Sequence, residues 1–110
     1  MGLGYLKTIG YRDTLDALVV AFCRDYFHRK DAIEDGRCSP RTRMEYEYIN
    51  RRIAEAAREV VGTDYEIYIK EIADASGYAR SAVECISESS YKTYKKEVKV
   101  NIAKKLHLLD

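Results

Sequence analysis

Tryptophan is absent from the chain and proline occurs once, at Pro40. A backbone with so little proline can run in long uninterrupted helices, and six glycines in 110 residues are too few for a fibrous or loop-dominated protein. No stretch approaches the ~20 consecutive apolar residues that cross a bilayer, so no membrane partner is expected. The opening MGLGYLKTIG lacks a charged region followed by a sustained apolar one. It does not read as a signal peptide, and the expected location is the cytoplasm. Cys23, Cys38 and Cys85 are odd in number, widely spaced and never in a Cys-x-x-Cys pair, which argues against a disulfide framework and against a zinc ribbon. Alternation at strand period, internal repeats and low-complexity segments are missing too.

Catalytic chemistry has few candidates. Cys23 and His28 lie five apart and leave a helix in different directions, and no recognised spacing joins them to Cys38, Cys85 or His107. Glu55 and Glu59 share a helix face, but such a pair holds a metal only opposite a matching helix. No glycine loop is built to cradle phosphate. The expectation is no enzyme, no metal and no cofactor.

What the chain does contain is charge in blocks. Residues 1–36 carry five basic and six acidic side chains, 37–62 six and four, 63–88 two and six, and 89–110 six and two. The overall charge of +1 therefore conceals an acidic third segment that calls for basic partners, within the fold or in another subunit.

Apolar periodicity predicts one all-α domain over 1–110 with five helices. Leu15, Leu18, Val19, Phe22, Tyr26 and Ile33 form one stripe of a helix from about 14 to 35, ended by Gly36. Ser39 and Pro40 are a helix-start pair, and the helix they open runs to Gly62 with Tyr46, Ile49, Ile53, Ala56, Ala57 and Val60 inward. The two make a long antiparallel hairpin over 14–61. Asp64 is placed as the cap of a third helix over 65–75, a fourth covers about 80–87, and Ser89 or Ser90 caps a basic last helix within 90–107. Tyr46, Tyr91 and Tyr94 sit at core spacing, whereas Tyr5, Tyr11, Tyr48, Tyr65 and Tyr68 are candidates for a contact surface with another subunit.

Within 64–87 the stretch IKEIADASGYARSAVECIS has the outline of a helix-turn-helix. Ala73 stands at the closest approach of two helices, Gly77 four residues later suits a left-handed turn, and Ile69, Ile72, Val83 and Ile86 make an apolar wedge. This stretch resembles the DNA-reading motif of bacterial repressors of the lactose-repressor type. The resemblance implies double-stranded DNA as a partner, a homodimer across two half-sites, and base contacts from Tyr78, Arg80, Ser81, Ala82, Glu84 and Cys85. Lys92, Lys95, Lys96 and Lys99 of the last helix would lie against phosphates. The expected function is a small transcriptional regulator of this kind. The alternative is a helical protein–protein interaction module in which the motif is a structural corner and the lysines are neutralised by acids.

Overall fold

The structure, a computed structural model, describes residues 10–110; Tyr5 and most of the opening segment fall outside them. Helix α1, Asp13–Glu34, begins with Asp13 and Asp16 in its first turn, where carboxylates oppose the positive end of the helix dipole. It closes at Gly36, whose φ of +66° lets the amides of Gly36 and Arg37 turn back to the carbonyls of Ile33 (3.2 Å) and Ala32 (3.1 Å). Helix α2, Pro40–Val61, starts where the Ser39 hydroxyl accepts the Thr42 amide at 3.3 Å. The two helices pack antiparallel. Arg29 of α1 donates to the Asn50 side chain of α2 at 2.7 Å, and Asn50 donates in turn to the Tyr26 carbonyl at 2.9 Å.

A 3-10 turn, Gly62–Asp64, leads into the short helix α3, Tyr65–Ala73. Asp64 stands at the capping position, but its side chain makes no cap bond. The turn runs straight into the helix, and the Tyr65 amide is already bonded to the Gly62 carbonyl. The last helix, α4, covers Glu88–Lys105 and is capped by Ser87, which accepts the Ser90 amide at 3.2 Å, rather than by Ser89 or Ser90.

The described residues therefore contain four α-helices, three long and one short, and not five. The missing one is the expected helix over 80–87: only a single 3-10 turn, Tyr78–Arg80, forms there, and 81–87 is irregular. The second helix of the expected helix-turn-helix is therefore absent from 80–87. Nor does Gly77 take the left-handed conformation assigned to it, since its φ is −97°. At the end of α3 the left-handed residue is Ala75, at φ +56°, where the amides of Ala75 and Ser76 close the helix on Ile72 (3.2 Å) and Glu71 (2.9 Å).

The core gathers Val19 and Cys23 from α1, Ile53, Ala56 and Ala57 from α2, Tyr68, Ile69 and Ile72 from α3, and Tyr91, Val98, Ile102 and Ala103 from α4. Alanines at 56, 57 and 103 let α2 and α4, the most extensively paired elements, approach closely. The inward face of α1 is turned from the expected stripe: Leu18 is 42% exposed, while Cys23 and Arg29 are buried. Tyr11 and Tyr68, expected at a contact surface, are core residues, and Tyr94, expected in the core, is exposed. Phe22, Ile49 and Val83 are only partly buried.

Much of the acidic third segment is satisfied from within. Glu66 accepts from Lys30 at 2.9 Å and from the Tyr26 hydroxyl at 3.0 Å, and these bonds, that from Lys30 first, hold its carboxyl below the ordinary glutamate range. Asp74 pairs with Lys70 at 2.8 Å and Glu88 with Lys92 at 2.8 Å. Burial pushes the Cys23 thiol up to about 12 against the opposing pull of Lys99 and Arg29, which fits an inert core thiol.

Candidate functional site

Segment 74–87 owes its shape to a carboxylate. Glu71 lies three residues after buried Tyr68, on the inward side of α3, and is itself only 6% exposed. Its oxygens accept the Ser81 hydroxyl, the Ala82 amide and the Tyr91 hydroxyl, each at 2.7 Å. Charge-assisted bonds of this kind are about twice as strong as neutral ones. The Val83 amide is taken by the Ser81 hydroxyl at 3.0 Å, and the Tyr78 hydroxyl reaches the Ile86 carbonyl at 2.8 Å. The Ala82 and Val83 amides are thus held by side chains, while Ser81 takes an extended backbone, φ −72° and ψ 141°, outside the helical region. These bonds accompany the irregular course of 81–87.

Tyrosine rings fill the space beneath. Tyr91 lies 5.6 Å from Tyr68 and 5.8 Å from Tyr78 between centroids, with the Lys95 ammonium 5.7 Å from its own ring centre. Burial, followed by the hydrogen bond to Glu71, raises the Tyr91 hydroxyl to about 12. Burial lowers the pKa of Lys95, helped by its neighbour Lys99. The Lys95 ammonium also donates to the Ser76 carbonyl, tying α4 to the loop.

Between this loop and the end of α2 runs an open groove of about 480 Å³. Val60 and Val61 of α2, Tyr68 of α3, Val83 and Ile86 of the loop, and Tyr94 of α4 line it. Asp64 and Glu84 add carboxylates, and Cys85, Ser87 and Ser90 the remaining polar groups. Cys85 reaches the groove through a left-handed backbone, φ +58°.

The residues assigned to DNA from the sequence are distributed as follows. Tyr78 and Arg80 sit on the 3-10 turn, and Ser81 and Ala82 are the two residues held by Glu71. Glu84 and Cys85 line the groove. Lys92 pairs with Glu88 at 2.8 Å, Lys95 is drawn to the loop, and Lys99 pairs across to Asp16 of α1 at 3.1 Å. Lys96 lies along a second cleft with Glu59, Glu97 and Lys104. Glu71 and Val61 did not figure in the sequence reading, which placed Val60 only on the inward face of its helix. The available signal was a carboxylate on the apolar side of α3, at i+3 from one core tyrosine.

No three histidine, cysteine, aspartate or glutamate side chains among the described residues come together as a metal site. Among the same residues, no helix is long and apolar enough to cross a membrane. Compared with family models, curated proteins and solved structures, the chain matches none.

Proposed function

We propose that this protein is a helical interaction module that holds an amphipathic, basic segment of a partner protein in the groove between α2 and the 81–87 loop. One observation carries the reading: in a largely polar groove, Val60, Val61, Val83 and Ile86 stand beside two carboxylates, Asp64 and Glu84, that make no ion pair among the described residues. Such a surface is complementary to a helix with apolar anchors at three- and four-residue spacing and lysine or arginine beside them. Cations that a nucleic-acid interface would present are engaged within the chain at Lys92, Lys95 and Lys99.

The proposal includes a homodimer formed through the hairpin. Met44 and Tyr48, four residues apart on the outer side of α2, are 71% and 45% exposed, with Arg51 lying 5.5 Å over the Tyr48 ring. The cytoplasm suits three thiols that form no disulfide.

Selection from a displayed library of random helical peptides tests the reading. Peptides with clustered lysine or arginine and an apolar stripe should be enriched by the wild type and not by Val83→Asp. Parallel selection from random duplex DNA should enrich nothing. A duplex sequence enriched by the wild type and lost with Arg80→Ala would overturn the proposal in favour of a DNA-binding regulator, and light scattering across a wide concentration range decides the dimer.

A further inference from the structure

On the side of the hairpin formed by the C-terminal half of α1 and the start of α2 lies a cleft of about 360 Å³, lined by Asp25, His28, Arg29, Ala32, Arg37 and Tyr46. Arg29 is the unusual member. It is only 7% exposed, and arginines this buried generally sit against a carboxylate, because an unpaired charge is costly to desolvate. No ion pair joins Arg29 to a carboxylate among the described residues. Its acceptors are both neutral: Nε donates to the Asn50 side-chain oxygen at 2.7 Å and a terminal nitrogen to the Phe22 carbonyl at 2.8 Å.

This arrangement is built rather than incidental. Asn50 is itself oriented by its bond to the Tyr26 carbonyl at 2.9 Å, so its oxygen is presented to the guanidinium. The Phe22 ring lies 5.9 Å from the guanidinium carbon. A guanidinium carries five N–H donors, more than these two bonds use. No buried side-chain nitrogen or oxygen among the described residues lacks a partner, so the terminal nitrogen of Arg29 that makes no hydrogen bond is not sealed in the core, and the cleft is the space that Arg29 lines. Burial draws the Arg29 pKa below its ordinary value, with Asp25 opposing that effect, but a guanidinium keeps its charge.

We propose that this cleft binds a small oxyanion, the carboxylate or phosphate group of a ligand, on the inward-held guanidinium of Arg29. Planar, forked donation suits either group. Around Arg29 the cleft presents Arg37 and His28 against a single acid, Asp25. Arg37 meets Asp35 at 3.3 Å, but both side chains are more than 60% exposed (63% and 61%), and an exposed pair of this kind is weak enough to exchange for a bound anion. Asn50 acts as a positioning residue. The site lies on different residues from the interaction groove, so each reading stands or falls without the other.

Amide NMR titration of the full chain with sodium phosphate and, separately, sodium acetate, at ionic strength held constant with sodium chloride, tests this site. Saturable shifts at residues 25–37 and at Tyr46, absent when chloride alone is varied, are expected, and the tighter of the two anions identifies the group recognised. The double variant His28→Ala with Arg37→Ala removes exposed side chains only and should weaken binding roughly tenfold. Arg29→Lys keeps the charge and loses the fork, and should weaken it at least as much. Should Arg29→Lys fail to fold, the double variant decides. Shifts that never saturate, shifts equal in chloride, or a double variant that binds as tightly as the wild type would each overturn the site.

Discussion

The α2–α4 pairing and the 74–87 loop are held by opposite means. Between α2 and α4 the buried contact is apolar, with Ile53, Ala56, Ala57, Val98, Ile102 and Ala103 excluded from water and Asn101 and Lys105 bonded to α2 along its margin, so stability there is spread over many small gains. Across the loop a single side chain, Glu71, gathers three hydrogen bonds. The first arrangement is robust in kind and expensive to hollow. The second concentrates shape in one residue, so it is the part of the molecule that can be released alone.

Breaking the apolar side should have the largest effect. Ile53→Ala is expected to cost about 2–5 kcal/mol, read as a fall in the denaturation midpoint shared by all probes, and an unchanged midpoint would mean that the inward face of α2 is misassigned. Glu71→Gln should cost about 1.5–3 kcal/mol, and its signature is local. Exchange of the Ala82 and Val83 amides should accelerate while that of Ile53 and Val98 follows only the global change. If all four accelerate equally, the loop and bundle unfold as one unit and the contrast between them fails.

Alkali probes the same hub more gently. The Tyr91 hydroxyl is raised from 10.0 to about 12, so its folded value lies above the unfolded one. The stability it confers is complete below pH 10.0 and is lost as pH rises toward about 12. In Tyr91→Phe that part of the alkaline decline should disappear from a pH series of melting midpoints. The smallest effect should come from Ala75→Gly. A non-glycine residue in the left-handed region costs ~1–2 kcal/mol, partly offset by glycine's greater freedom in the unfolded chain, so a net gain of up to about 1 kcal/mol is expected. Any loss would indicate that the Ala75 methyl has a packing role.

Legibility in the sequence follows the range of the interaction that decides each element. The bend between α1 and α2 is written in neighbours: Gly36 supplies the positive φ, Ser39 the cap and Pro40 the first helical position. The helical character of α2 and α4 follows from period alone, through Ile53, Val98 and Ile102. Segment 80–87 misleads because its course is tied to Glu71, ten and eleven residues upstream of Ser81 and Ala82, a distance no local period reports. Arg29 misleads in the same way, since only Asn50 on another helix gives it a reason to turn inward. The groove was invisible for a related reason: its walls come from five separate segments, α2, the Gly62–Asp64 turn, α3, the loop and α4.

The manner in which Glu71 grips the loop bears on how this surface can diversify. At Ala82 it holds a backbone N–H, which every residue except proline carries, and at position 81 it asks only for a hydroxyl, which threonine also offers. The exposed side chains at 82 and 84 are therefore largely released from the task of keeping the loop in place, while Val83 packs against the core. Substitution can accumulate along the groove wall while the anchor stays constant, much as a hinge pin stays fixed while the door is replaced. A lineage, or an experimenter, could rewrite what the groove selects without first having to rescue its fold.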